Sequence, residues 1–224
     1  MTIELLNIDC MEYMASLPDH AFDLAIVDPP YGIGTHCIKN KNNRTKLAVA
    51  KDYKMYKNGR DDRPANEYFD ELRRVAKNQI IWGANHLADL FDAAGSGWIV
   101  WNKEATGPFS ACELAYSSFK SSARLYTYRW NGMLQGNHGD KKKNEHRIHP
   151  SQKPVALYRW LLETFADPGQ KILDTHLGSG SSAIATYYFG CDFVGCEIDS
   201  DYHRAALDRF DRETRQTEMS FIGT

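Results

Sequence analysis

Apolar and polar residues follow one another along the chain in short blocks, and this pattern predicts strands interleaved with helices. The blocks with strand character are Ile3–Ile8, Phe22–Val27, Gln79–Trp82, Gly97–Trp101, Cys112–Ser117, Arg124–Trp130, Lys171–Asp174 and Asp192–Glu197. The blocks with helical character are Met11–Leu17, Pro64–Lys77, Val155–Phe165, Ser182–Phe189 and Asp201–Arg212. Strands that alternate with helices imply a doubly wound, mostly parallel sheet with helices on both faces. We therefore expect an α/β fold in which residues 1–224 form a single domain.

Two long polar stretches, Gly32–Asp62 and Asn131–His149, interrupt this pattern. Loops of this length are uncommon inside compact domains and are usually functional or disordered. Residues 36–60 carry eight Lys or Arg against one acid, and the second stretch contains Lys141–Lys143 and Arg147. Such basic runs are often simply solvated, but they are also the pattern expected of a phosphate-binding surface. We interpret residues 35–63 and 131–149 as loop insertions.

Composition places the chain among ordinary globular proteins, with 42% hydrophobic residues, 25% charged residues and a net charge of −2. The longest apolar runs are far shorter than the roughly 18 residues of a membrane span. The N-terminus lacks a basic region followed by an apolar stretch, so we expect no secretory signal. Five cysteines without a CxxC pair favour a reducing cytoplasm, with neither a disulfide framework nor a zinc site.

Four predicted strands each end in a single acid, and these acids are Asp9, Asp28, Asp174 and Glu197. One such acid is usually the N-cap of the next helix. Ligands of doubly wound sheets, however, bind outside the carboxyl ends of the strands. The pattern therefore predicts that the four side chains line one crevice.

A glycine-rich turn follows Asp174 and contains Gly178 and Gly180 before a predicted helix. Glycine allows positive φ and close approach of a ligand, and the helix N-terminus offers free N–H groups. Glu197 follows the next strand about twenty residues later, where an acid can bind both hydroxyls of a ribose. The spacing is not GxGxxG, which disfavours a nicotinamide or flavin cofactor. The pattern predicts a site for a cofactor that carries a nucleoside.

A stiff turn, Asp28-Pro29-Pro30-Tyr31, follows the buried strand Phe22–Val27. Proline fixes φ and has no N–H, so the turn is rigid and the carbonyl of Pro29 can accept from a ligand. The carboxylate of Asp28 supplies a second acceptor, and Tyr31 supplies a flat ring. Two acceptors beside a stacking surface would bind a planar group that bears an NH₂, such as adenine or cytosine.

These motifs resemble those of the β class of amino-directed DNA methyltransferases, which use S-adenosylmethionine. The resemblance is carried by DPPYGIG (Asp28–Gly34), HPSQKPVALYRWLL (His149–Leu162), DTHLGSGSS (Asp174–Ser182) and FVGCEID (Phe193–Asp199). The catalytic motif precedes the cofactor motif, which is the circularly permuted order of that class. The resemblance implies a Rossmann-like methyltransferase fold with small, loop-rich target-recognition insertions.

The resemblance also implies site residues. The catalytic segment would be Asp28, Pro29, Pro30 and Tyr31. S-adenosylmethionine would be bound by Asp9 and Cys10 at the adenine edge, Glu197 at the ribose, Lys153 with Ser151 and Gln152 at the carboxylate, Asp174, Gly178 and Gly180 at the methionine part, and by Asp28, His176, Ser179 and Ile198. Double-stranded DNA would be bound by Lys39, Lys41, Arg44, Lys46, Lys141, Lys142, Lys143 and Arg147. No metal is implied, and a homodimer stays open.

The implied reaction is in-line transfer of a methyl group to the N6 amino group of a flipped adenine. Adenine is preferred because family members with DPPY mostly modify adenine. Cytosine-N4 methylation, RNA methylation and a DNA-binding relative without catalysis remain alternatives. The last arises because Thr175-His176 replaces the usual Pro-Phe of the family, which leaves a flat ring that could be charged.

Overall fold

The computed structural model describes residues 1–32, 62–90, 97–105, 110–120, 122–131, 134–136 and 144–221, with side chains up to residue 215. Most of the first predicted insertion and part of the second lie outside these residues. The predicted DNA-binding lysines and arginine in those gaps are Lys39, Lys41, Arg44, Lys46, Lys141, Lys142 and Lys143.

The described residues form ten strands and six helices. The strands are β1 (Ile3–Leu6), β2 (Phe22–Val27), β3 (Ala76–Trp82), β4 (Gly97–Asn102), β5 (Cys112–Ser117), β6 (Arg124–Thr127), β7 (Trp130–Asn131), β8 (Leu134–Gln135), β9 (Lys171–Asp174) and β10 (Asp192–Cys196). The helices are α1 (Cys10–Ala15), α2 (Asn66–Val75), α3 (Ala84–Leu87), α4 (Val155–Phe165), α5 (Ser181–Phe189) and α6 (Ser200–Phe221).

Eight of the described strands form one sheet in the order β1-β10-β9-β2-β3-β5-β4-β6. The five strands from β1 to β3 in that order are parallel. Strand β5 is antiparallel to both neighbours, whereas β4 and β6 are parallel to each other. The predicted doubly wound, mostly parallel sheet is confirmed, and the reversal at β5 is a feature that the sequence pattern did not indicate.

Helices cover both faces of the sheet because the buried strands are apolar on both sides. In β2, Leu24 and Ile26 point into one core, together with residues of α4, α5 and α6. Ala25 and Val27 point into the other core, together with residues of α1, α2 and α3. The alternation follows from the two-residue period of a strand. None of the helices in the described part of the chain has the length and apolar character needed to cross a membrane.

Several predicted boundaries were wrong by one to three residues, and three differences have a structural consequence or are larger. The helix predicted to reach Lys77 ends at Val75, and the chain passes directly into β3. The strand predicted over Arg124–Trp130 divides into β6 and β7, because its partner β4 ends at Asn102. The last helix continues well past Arg212. The types of the predicted elements were more reliable than their ends.

The two halves of the parallel sheet diverge between β9 and β2. From β2 the chain continues to β3 on one side, and from β9 it continues to β10 on the other side. Such a topological switch point leaves a crevice outside the carboxyl ends of the two strands, where ligands of doubly wound proteins bind. The fold therefore places the candidate site at the ends of β2 and β9.

Candidate active site at the switch point

The four acids at strand ends lie along one edge of the sheet. Asp9 follows β1, Glu197 follows β10, Asp174 ends β9 and Asp28 follows β2. These four strands are direct neighbours and run parallel, so their carboxyl ends point the same way. The fold therefore brings together residues that are up to 188 positions apart in sequence, from Asp9 to Glu197.

Asp28 is held by two side chains. The hydroxyl of Tyr31 donates to its Oδ1, and the ammonium of Lys153 donates to its Oδ2. The same ammonium lies 3.3 Å from the hydroxyl oxygen of Tyr31. Lys153 is 4% exposed, so it is buried against the aspartate of the proline turn. Burial alone lowers the pKa of Lys153, but the nearby carboxylates of Asp28 and Glu113 outweigh it and raise the pKa above its usual value.

Tyr31 packs on the backbone at Gly83, the residue after β3. Gly83 has φ +67°, and a Cβ added there would lie 2.0 Å from Cε1 of Tyr31. His86 stacks on the ring of Tyr31 with 5.4 Å between ring centroids and 21° between planes. Sequence reasoning missed Gly83, although a glycine directly after a buried strand was the available signal.

Asp174 is buried at the start of the glycine turn. Its Oδ2 accepts from the hydroxyl of Ser182 at 2.6 Å, and its Oδ1 accepts from the backbone N–H of His176 at 3.0 Å. Both donors are uncharged, so burial dominates and raises the pKa of Asp174 to about 7. A buried carboxyl of this kind gains from the arrival of a cation.

Glu197 is bound to the same turn from β10. The backbone N–H of Gly178 donates to its Oε2 at 2.9 Å, and the backbone N–H of Asp199 donates to its Oε1 at 2.9 Å. Burial raises the pKa of Glu197 in spite of these bonds. Ile198 follows directly and is 69% exposed. Gly178 has φ +52°, in the region that favours glycine.

His176, which departs from the family pattern, is a neutral aromatic ring. Burial lowers its pKa to about 4. Its ring meets the ring of Tyr68 edge-on with 5.5 Å between centroids, and Thr175 Oγ1 lies 2.9 Å from its Nδ1 and 2.6 Å from the hydroxyl of Tyr68. The ring therefore keeps the flat, uncharged character of the phenylalanine that the family usually has there.

The segment His149–Lys153 connects the two motifs. Gln152 closes the segment on itself, because its Oε1 accepts from the backbone N–H of Ile148 at 2.9 Å. The hydroxyl of Ser151 lies 3.0 Å from Nδ1 of His149. The backbone carbonyl of Lys153 accepts from the hydroxyl of Ser181 at 2.7 Å, at the start of α5. Lys153 thus contacts the proline turn with its ammonium and α5, the helix that follows the glycine turn (the glycine helix), with its carbonyl.

A buried ion pair between Arg209 and Glu145 supports the glycine turn and the start of α4. The sequence analysis did not predict it. Arg209 of α6 is 1% exposed and donates to Glu145 Oε2 at 2.8 Å. Its other terminal nitrogen donates to the carbonyl of Ser179 and the hydroxyl of Ser181, each at 2.9 Å. Glu145 Oε1 accepts from the first N–H of α4, that of Val155, at 2.9 Å. The pair therefore joins α6, the glycine turn and α4.

The four acids at the strand ends form a row, and Asp9 and Cys10 lie at its β1 end. The carboxylate of Asp9 caps α1 by accepting from the backbone N–H of Met11 at 2.8 Å. Burial, and then the charge of Asp9, raise the pKa of the Cys10 thiol to about 12, so it is a neutral thiol. Among the described residues, no group of three or more His, Cys, Asp or Glu could hold a metal ion.

Arg147, the remaining predicted DNA-binding residue, lies within the described part of the chain. Its guanidinium carbon lies 4.4 Å from the ring centroid of Trp130, and the residue is half-buried. The aromatic contact fixes where the cation lies. Its role on DNA stays a prediction.

Comparison with known proteins identifies the family. A family model described as DNA methylase, of the N6 and N4 methyltransferases, matches residues 100–208. The Escherichia coli K12 protein "Putative methylase YubD" is 30% identical over 213 residues, which span 90% of this chain and 87% of that protein. The crystal structure of the M1.HpyAVI–SAM complex is 19% identical with a TM-score of 0.58, and covers 93% of this chain and 100% of its own. The cytosine-N4-specific PvuII DNA methyltransferase is 12% identical with a TM-score of 0.61, at 96% and 91% coverage. The chain therefore belongs to the DNA methylase family of N6 and N4 methyltransferases.

Proposed function

We propose that this protein transfers a methyl group from S-adenosylmethionine to the N6 amino group of adenine in double-stranded DNA. One observation carries the proposal. Lys153 contacts the Asp28–Tyr31 turn through its ammonium and the glycine helix through its carbonyl, across the switch point of the sheet. The turn suited to an amino group and the turn suited to a nucleoside-bearing cofactor therefore lie side by side.

The residues of the glycine half fit S-adenosylmethionine. The buried carboxyl of Asp174 suits the cofactor's ammonium, and Glu197, held by the amide of Gly178, suits the two ribose hydroxyls. The exposed apolar side chain of Ile198 suits the flat adenine ring. Gly180 is the N-cap of α5 and provides no side-chain cap, so the positive end of the helix faces the turn. When bound, S-adenosylmethionine supplies a methyl group on a positively charged sulfur.

The remaining predicted cofactor residues stay proposals. Asp9 caps α1 and Cys10 is a neutral thiol beside it, which is compatible with contacts to an adenine edge. His176 provides a neutral ring near the methionine part, and Ser179 is buried in the turn. Ser151 and Gln152 shape the segment that precedes Lys153.

The proline turn supplies what an exocyclic amino group needs. Asp28 and the carbonyl of Pro29 accept hydrogen bonds from NH₂. These bonds favour a lone pair that is localised on the amino nitrogen over one that is delocalised into the ring. The same acceptors stabilise the positive charge that develops on nitrogen. Tyr31 offers its ring to the base, and Pro30 keeps the turn stiff. Holding the amino nitrogen close to and aligned with the methyl group that it attacks is expected to give much of the acceleration of methyl transfer.

The choice of adenine comes from the family resemblance of the DPPY motif. Cytosine also presents an NH₂, and the PvuII enzyme, which is cytosine-N4-specific by name, shares the fold. Duplex DNA requires that the target base be flipped out, at a cost of a few kcal/mol. Phosphate contacts are proposed for the insertions 35–63 and 131–149. A homodimer and a cytoplasmic location are likewise proposals.

The test is a methyl-transfer assay with labelled S-adenosylmethionine on duplex DNA and on structured RNA, followed by mass spectrometry of the nucleosides. We expect N6-methyladenine from DNA only. N4-methylcytosine would establish the alternative base, and methylated RNA alone would reject DNA as the substrate.

A variant of the proposed catalytic residue separates catalysis from cofactor binding. Asp28→Ala is expected to abolish transfer while cofactor affinity stays within roughly tenfold, because the aspartate acts on the amino group. Asp70→Ala, on the exposed side of α2, is the matched control and keeps full activity. Equal loss of cofactor binding and of activity in Asp28→Ala would contradict the proposed division of roles.

A further inference from the structure

Four side chains of alternating charge form a row that ends at Asp28. Lys103 Nζ lies 3.0 Å from Glu113 Oε1, and Glu113 Oε2 lies 3.3 Å from Lys153 Nζ. Lys153 in turn donates to Asp28 Oδ2. The first two residues of this charge row belong to no motif of the sequence analysis.

Rigid strands hold the charge row in place. Glu113 lies in β5, opposite Trp101 of the antiparallel strand β4. Lys103 follows β4, and its backbone N–H donates to the carbonyl of Ala111 at 2.9 Å, which continues the pairing of the two strands. The antiparallel half of the sheet therefore reaches the switch point through one carboxylate.

The ammonium of Lys153 has three polar partners beside the proline turn. An ammonium has three N–H donors. That of Lys153 donates to Asp28 Oδ2 and to the hydroxyl of Tyr31 at 3.3 Å, and it forms an ion pair with Glu113 Oε2 at 3.3 Å. The ring centroid of Trp82 lies 5.5 Å away, which adds a cation–π contact. A contact with the carboxylate of a bound cofactor would require that one of these partners be given up.

We propose that Glu113 is a positioning residue that holds Lys153 on the carboxylate of Asp28, so that Lys153 serves the amino-group half of the site. This inference rests on the proposed methyl transfer, and it replaces the sequence-based prediction that Lys153 meets the carboxylate of the cofactor. Lys103 supports Glu113 from the other side.

The charges of the row explain why Glu113 matters. With Glu113 and Lys103 in place, two cations and two anions balance, and the ammonium lies between two carboxylates. Without Glu113, the ammonium keeps Asp28 and Tyr31 as acceptors but loses one of the two carboxylates that fix its position between them. The orientation of the Asp28 carboxylate, and with it the acceptor offered to the amino group, would then be less well fixed. Misplacement of this kind lowers turnover more than binding.

The experiment compares Glu113→Gln with Glu163→Gln in the methyl-transfer assay, with both substrates varied. Glu163 forms an exposed ion pair with Arg159 on α4, so the control removes the same charge away from the row. Glu113→Gln is expected to lower kcat by roughly tenfold to a hundredfold, with the KM for S-adenosylmethionine within about twofold of wild type. Glu113→Asp, which keeps the charge, is expected to recover part of kcat. Thermal unfolding of each variant checks that it is folded.

A second measurement does not depend on activity. Isothermal titration with S-adenosylmethionine is carried out on wild type and on Lys153→Met. Affinity within about threefold of wild type supports the inference, because removing a direct hydrogen bond to the cofactor's carboxylate costs more than that. A loss of tenfold or more in Lys153→Met, or equal kcat in Glu113→Gln and Glu163→Gln, would overturn it. Wild-type protein that binds the cofactor but methylates no nucleic acid would instead reject the proposed function.

Discussion

The ring of Tyr31 occupies the space where a side chain at Gly83 would begin. The two residues follow neighbouring parallel strands, β2 and β3, and the absent Cβ lets the ring lie against the backbone. His86 lies in α3, the helix that begins directly after Gly83, and stacks on the same ring. The orientation of the proposed stacking surface for the base is thus set by a glycine more than fifty residues away in sequence.

Gly83→Ala is predicted to lower methyl transfer through displacement of Tyr31. The new Cβ would lie 2.0 Å from Cε1 of Tyr31, so the ring must move. We expect kcat/KM for DNA to fall by about tenfold or more, while affinity for S-adenosylmethionine stays within roughly threefold. Steady-state kinetics and isothermal titration measure the two effects.

Gly190→Ala is the matched control for this prediction. Gly190 has φ +91° and a Cβ there would meet nothing within 4 Å, so it has the backbone strain without the clash. Both variants are expected to lose about 1–2 kcal/mol of unfolding free energy from left-handed backbone. If both variants lost activity equally, the contact with Tyr31 would be irrelevant to function.

Cofactor affinity is predicted to rise between pH 6 and pH 7 because of Asp174. Burial raises its pKa to about 7, and only the ionised form attracts an ammonium. Affinity should therefore increase by up to about fivefold across this range, in which an α-amino group with a pKa of about 7.7–8.0 stays mostly charged. The rings of His149 and His176 have pKa values lowered to about 4, so both stay neutral throughout. Isothermal titration with S-adenosylmethionine at both pH values tests the prediction. The same change in affinity with pH in Asp174→Asn would contradict it.

The same carboxyl predicts a pH dependence of stability with the opposite sign. A folded-state pKa raised above the usual 3.8 means that the folded protein holds the proton more tightly than the unfolded chain. Its contribution to stability is therefore complete below about pH 4 and is lost as the pH rises through about 7. Urea unfolding of wild type should show this decline without cofactor, and Asp174→Asn should show less of it.

Arg209→Met is predicted to destabilise the protein strongly. It removes one partner of a buried pair and leaves Glu145 without its cation, at a cost of about 3–5 kcal/mol. The double variant Arg209→Met with Glu145→Gln should lose less, because no buried charge is stranded. Arg215→Met, in an exposed pair with Asp211, should cost less than about 0.5 kcal/mol. Urea unfolding measures these variants and Glu145→Gln alone, and a double variant that loses the sum of the two single losses would refute the coupling.

Lys141–Lys143→Ala is predicted to weaken DNA binding and to flatten its dependence on salt. Removal of one lysine–phosphate interaction should reduce the slope of log affinity against log salt by about 0.9. Lys171→Ala, at the opposite end of β9 from the site, should leave the slope unchanged. Binding to duplex DNA at several salt concentrations gives the slopes. A wild-type slope in the triple variant would remove this segment from the interface.

The sequence predicted the fold well where burial repeats regularly. Strands β2, β5 and β9 and helix α4 have the predicted bounds, because each carries apolar residues at the spacing of its own element type. The acid row was predicted for a similar reason, since the carboxyl ends of parallel strands share one edge. The direction of β5 could not be predicted, because the apolar pattern of a strand is the same in both directions.

The supporting contacts of the site escaped prediction because they join residues from unrelated segments. Glu113 reads as a charged residue in a strand, and Arg209 reads as one more cation on an amphipathic helix. Only the folded arrangement brings Arg209 to Glu145 and Glu113 to Lys153. Pairings of this kind depend on three-dimensional distance, and a single sequence carries no signal for them.

Strands β2 and β9 are neighbours in the sheet, yet most of the chain lies between them. A growing polypeptide on the ribosome would display its proline turn long before the aspartate, the glycines and the glutamate of the opposite wall were synthesised. Lys153 emerges between the two, so its ammonium can reach Asp28 before its carbonyl has the hydroxyl of Ser181 to accept from. A product truncated before β9 would thus lack one wall of the crevice, which is complete only when β10 is inserted between β1 and β9.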